Sequence, residues 1–110
     1  MHDDDKKKEL GQAELEVLKD MFERWIKSDV VWAANIIATK GSTGEDDEWD
    51  FLRRDWIEKL EVWMAPYLIR LYRTGYITED ELRKFGEEAT HTIKTMLEAL
   101  YALGGSLGNE

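Results

Sequence analysis

The chain has 110 residues, 43% of them hydrophobic and five of them Trp, enough for one buried core and too few for a second domain. The absence of Cys excludes thiolate zinc sites, a Cys nucleophile and a disulfide scaffold, and a single Pro excludes a proline-rich disordered chain. Fifteen basic residues against 24 acidic ones leave a net charge of −9, which opposes binding of nucleic acid or anionic membrane through a basic surface.

Residues 1–8, MHDDDKKK, carry mixed charge with nothing to bury, and read as a mobile tail. No leader core follows them, and the longest apolar reach, Val30 to Ala38, is interrupted by Asn35. A cytoplasmic protein is the expectation.

From about Glu9 to Thr39, the residues Leu15, Leu18, Phe22, Trp25, Trp32 and Ile36 recur at helical spacing and predict one amphipathic helix. Asp29 falls on this seam, and Ser28-Asp29 offers a second N-cap where the helix could break, but one helix with at most a bend there is the expectation. Lys40-Gly41 ends it with a cation and a left-handed cap. Residues 41–48, GSTGEDDE, form a flexible connection whose acids suit a helix start and lack the ligand order of a calcium loop.

A second helix is predicted from about Glu48 to Arg73, with Trp49, Leu52, Trp56, Leu60, Trp63, Tyr67 and Leu71 on its face. Its three Trp stand seven apart, and Pro66 predicts a kink near Trp63. Thr74-Gly75 stops it. Thr78 and Glu81 then form a capping box, and Tyr72 to Leu82 reads as the turn of an αα-hairpin. The third helix, about Glu79 to Leu103, has a seam of Leu82, Gly86, Ala89, Ile93, Met96, Leu100 and Leu103. Gly86 and Ala89 predict a recess that receives the facing Trp rings. Residues 104–110, GGSLGNE, read as a frayed end.

These elements predict an all-α, up-down-up bundle of three long helices, or four if the first breaks near Ser28, in one domain over residues 9–103. Antiparallel packing of the first two helices brings Asn35 near Arg53 and Asp29 near Lys59 or Leu60, a polar intrusion that sets register. Broad apolar faces, including Ile57, Met64, Leu68, Phe85, Leu97 and Tyr101, exceed what three helices cover and point to a homo-oligomer.

Gly-rich phosphate loops, Ser-His-Asp order and HExxH patterns are missing, and no cofactor is expected. His91 is the one histidine inside a predicted element. The run Ala89-Thr90-His91-Thr92-Ile93-Lys94-Thr95 resembles the acceptor helix of histidine phosphotransfer domains and is similar to the H-box of dimeric sensor kinases. The resemblance covers about seven residues, and Thr95 stands where the phosphotransfer motif has Gly. It implies an exposed His91 as phosphoacceptor, with Lys94 beside the phosphoryl oxygens. Separately, Glu88-Ala89-Thr90-His91 has the E-x-x-H spacing of ferritin-like bundles, where Glu88 and His91 would hold a metal across a dimer with Glu14, Glu16 or Glu23. Since most of the chain has no residues for chemistry, the leading expectation is a non-enzymatic module that binds protein, itself included.

Overall fold

A computed structural model describes residues 2–42 and 47–108, and every element in it is helical. Helix α1 spans His2–Lys40. The second rod is composite: α2 (Asp50–Glu58), a π-helical segment (Lys59–Met64) and α3 (Ala65–Arg73) follow one another directly. Helix α4 spans Glu79–Gly108. Glu14 and Asp29 of α1 bond Tyr67 and Trp56 of the second rod, in opposite chain order, whereas Gln12 and Lys19 meet Glu81 and Glu88 of α4 in the same order. The three rods therefore run up, down and up, in a slender body of 63 × 18 × 18 Å.

Local chemistry explains the rod ends. Gly41 and Gly75 take the positive φ values of 80° and 86° that close α1 and α3. The capping box forms in both directions: Thr78 Oγ1 accepts from the Glu81 backbone N–H at 3.1 Å, and Glu81 Oε1 accepts from the Thr78 N–H at 2.9 Å. Two boundaries differ from the expectation. Helix α1 already includes residues 2–8 of the segment expected to be a tail, where Lys7 Nζ donates to the Thr74 carbonyl at 3.2 Å and lies 5.4 Å from the Tyr76 ring centroid. Helix α4 runs through the segment read as frayed, as far as Gly108. Of the acidic connection, residues 43–46 lie outside the described residues.

The core seams are offset from the predicted ones, and the period explains the offset. In α1 the buried residues are Gly11, Phe22, Ile26, Ala33 and Ile37, so Gly11, Phe22 and Ala33 recur at 11, as do Ile26 and Ile37. Eleven residues in three turns follow an almost straight α-helix. A seven-residue series drifts by roughly 20° per repeat on such a helix. Trp25 and Trp32, seven apart, thus leave the core: Trp25 is half-buried and Trp32 is 50% exposed. The same period serves α4, where Leu82, Ile93 and Gly104 form one row and Ala89 and Leu100 another.

In the second rod the offset arises at Pro66, the second residue of α3. Proline has no N–H for the carbonyl of residue 62, and its ring crowds that carbonyl. The chain widens into i→i+5 bonding just before it, with the Ala65 N–H donating to the Leu60 carbonyl. This inserts one residue into the seam. Trp49, Leu52 and Trp56 are buried before the insertion, and Met64, Leu68 and Leu71 after it. Trp63 and Tyr67 are displaced outward, and Trp63 is 70% exposed.

The recess expected at Gly86 is not formed, since a Cβ there would meet nothing within 4 Å. Phe85 and Leu97 are buried on α4 instead, the first on the flank toward Leu15 and the second on the flank toward Ile57 and Leu60. The close approach belongs to Gly11, where a Cβ would lie 1.9 Å from the Tyr76 carbonyl oxygen and 3.1 Å from Ile77 Cγ2. The polar intrusion also has a different partner. Asn35 is exposed, and Asp29 Oδ2 accepts a 2.7 Å hydrogen bond from the indole Nε1 of Trp56, whose side chain is fully buried. Lys59 turns to Asp55 at 2.5 Å. Trp49 is treated differently from Trp56: its backbone N–H reaches Tyr101 Oη at 3.3 Å, but its buried indole nitrogen has no hydrogen-bond partner among the described residues.

Two outcomes are expected from denaturant titration. Gly11→Ala should destabilise by about 1–3 kcal/mol through overpacking against the turn, whereas Gly86→Ala should gain up to about 1 kcal/mol from helix propensity. An unchanged midpoint for Gly11→Ala would show that α1 does not lie against residues 75–77. Asp29→Leu should cost about 1–3 kcal/mol by stranding the Trp56 indole, and Asp29→Asn, which keeps an acceptor, should cost less. Equal losses for the two Asp29 variants would contradict the hydrogen bond.

Candidate interaction surface

The residues displaced from the core gather on the side where α1 meets the second rod. Three contacts join the two edges. Tyr67 Oη donates to Glu14 Oε2 at 3.0 Å, Lys59 Nζ lies 5.9 Å from the Trp25 ring centroid, and Trp32 packs edge-on to Phe51 with centroids 6.1 Å apart. Leu10, Val17 and Met21 lie one or two turns from Glu14 on the same helical face, and each is exposed. Trp63 precedes Tyr67 by one turn. Phe51 is 51% exposed and closes the far end, with Trp32 and Trp49 beside it at 6.1 and 6.0 Å. The result is a stripe of Leu, Val, Met and aromatic side chains along much of the bundle.

Charged groups along this stripe find partners inside the chain. Asp55 holds Lys59, Asp20 holds Arg24 at 2.9 Å, and Glu14 accepts the Tyr67 hydroxyl. The hydrogen bond to Glu14, helped by desolvation and by the carboxylate's charge, raises the Tyr67 phenol above its ordinary value of 10.0. Nearby, on the outer side of α2, Arg53 and Arg54 hold the Asp50 carboxyl below its ordinary 3.8, the Arg53 hydrogen bond contributing most.

The sequence-predicted site residues lie elsewhere, on α4. His91 is exposed, with Thr95 Oγ1 3.5 Å from its Nε2, in a shallow depression with Lys19, Glu23, Glu87 and Glu88. Lys94 is on the other flank of the same helix, in a groove of about 480 Å³ floored by Ile57, Leu60, Ile93 and Leu97. The imidazole and the ammonium thus border different hollows. Glu88 is engaged by Lys19 at 3.5 Å, and Glu14 by Tyr67, while Glu23 shares the depression with Glu88 and His91 and Glu16 borders a neighbouring one. Among the described residues no three His, Asp or Glu side chains converge as metal ligands. No helix among them is long and apolar enough to cross a membrane.

The outward aromatic stripe is what sequence reasoning missed. Its signal lies in Pro66, which moves the seam by one residue as well as favouring a bend. Comparison with protein-family models, curated proteins and solved structures finds no match to this chain.

A phenolate titration tests the stripe's one polar bridge. Because the folded-state value of Tyr67 is raised, the contact with Glu14 should contribute stability below about pH 10 and lose it as pH rises through the folded value. The difference spectrum between native protein and Tyr67→Phe should therefore titrate above pH 10, and Glu14→Gln should bring it back toward the ordinary value. A Tyr67 signal unmoved by Glu14→Gln would show that the bridge does not form.

Proposed function

We propose that this chain is a non-enzymatic helical module that works by binding protein, itself included, through the aromatic stripe between α1 and the second rod. One observation carries the reading: Trp63 is 70% exposed in a line of exposed apolar side chains. Water is a poor environment for indole, and a line of this kind marks a contact surface more often than idle surface. The stripe has the composition of an interface centre, rich in Trp, Tyr, Phe and Met with its charged groups partnered at the edges. The acidic remainder of the surface keeps the module soluble and disfavours nucleic acid and anionic membrane as partners. A cytoplasmic setting is part of the proposal.

The reading is tested by position-specific photo-cross-linking in the native host. A cross-linker at Trp63 should give protein adducts, and one at His91 should give few. As a test of the non-enzymatic part, the purified chain should take no acid-labile label from a small phosphodonor. Adducts absent at Trp63, or a label abolished by His91→Gln, would overturn the proposal.

A further inference from the structure

We infer that the occupant of the stripe is a second copy of this chain, an inference that rests on the interaction reading above. The first argument is area. With aromatic side chains presenting 150–250 Å² each, the exposed fractions of Trp63, Trp32, Phe51, Tyr67, Leu10, Val17 and Met21 leave about 700 Å² of apolar surface. That exceeds the roughly 300–600 Å² of the largest patch on an ordinary monomer, and it approaches the roughly 800 Å² that each partner of a stable complex contributes.

The second argument is charge. Asp55–Lys59 and Asp20–Arg24 are paired within one chain, and the Glu14 carboxylate and the Arg70 guanidinium act with opposite sign on the Tyr67 phenol, so covering the stripe calls for little counter-charge from outside. A strongly charged partner would lose hydration there and gain little ion pairing in return. An uncharged aromatic surface of equal length suits it, and each further copy of the chain supplies one. A two-fold pairing of identical faces closes after two subunits and leaves neither stripe open.

This pairing has a definite salt response. Each subunit carries −9, so the two repel each other at long range while the apolar contact is indifferent to ions. Raising salt screens the repulsion, and association should strengthen. A contact made of intermolecular ion pairs would weaken instead.

Sedimentation equilibrium of the full chain tests the inference. A species of twice 12.9 kDa is expected, with self-association rising as salt is increased. Trp63→Glu should weaken association by on the order of thirtyfold or more, as for a central interface residue. Met21→Glu, on the opposite edge of the stripe, should weaken it as well. Both positions are exposed, so circular dichroism should report native helix content for both variants. His91→Gln should remain dimeric. A monomer at every concentration, a dimer weakened by salt, or a dimer that survives both Glu variants would each overturn the inference. A monomeric chain whose Trp63 cross-links to a different protein would do so while leaving the interaction reading intact. Absence of any adduct at Trp63 would remove both.

Discussion

Pro66 cannot donate a hydrogen bond to the turn before it, and the second rod is arranged around that missing donor. A kinked α-helix would keep its residue count and bend. Here the chain also changes its count, taking one extra residue through Lys59–Met64. From that point the buried face consists of Met64, Leu68 and Leu71, which are flexible or compact aliphatics suited to a narrow bundle. The large rings of Trp63 and Tyr67, which a continuous α-helix would have directed inward, are turned to the surface. One absent N–H therefore decides both what fills the lower core and which rings stay on the surface.

The placement of the rods rests on two contacts of opposite character. At the turn end, Gly11 lets α1 lie directly on the Tyr76 carbonyl, a distance that any side chain would forbid. In the middle, the half-buried Asp29 carboxylate accepts from the Trp56 indole where the indole leaves water. The first is a steric constraint that sets how closely the rods approach. The second is directional and sets their register along the axis, because a one-turn slip would strand the indole of a fully buried Trp. The Trp49 indole, buried without such a partner, illustrates the desolvation cost that Asp29 removes from Trp56.

The chemistry-bearing residues are dispersed by the same architecture. His91 and Lys94 are one turn apart in sequence, yet they border hollows on different flanks of α4, between different pairs of rods. Glu88 is held by Lys19 across the α1–α4 contact. On the side of α1 and the second rod, by contrast, apolar and aromatic groups converge with the charged groups beside them already partnered. Function by contact, not by catalysis, is the reading in keeping with that division of the surface.

The helical class, the three-rod order, the glycine stops at Gly41 and Gly75, and the Thr78–Glu81 box are legible in the residues alone. Each of these follows from interactions within a few residues: backbone φ at glycine, a hydroxyl and a carboxylate one turn apart, apolar groups every three or four positions. The sequence offers a break at Ser28-Asp29 but favours one helix, and α1 is continuous there, with Asp29 a half-buried acceptor and not an N-cap. Which tryptophans enter the core was decided only in three dimensions. Periods of seven and of eleven differ by a few degrees per residue, and only packing against neighbouring rods chooses between them. The extra residue before Pro66 likewise has a local cause and a long-range consequence, since a change of seam has meaning only when there is a partner rod to face. The recess expected at Gly86 and found instead at Gly11 has the same origin: an absent side chain is legible in the sequence, but what approaches it is set by the fold.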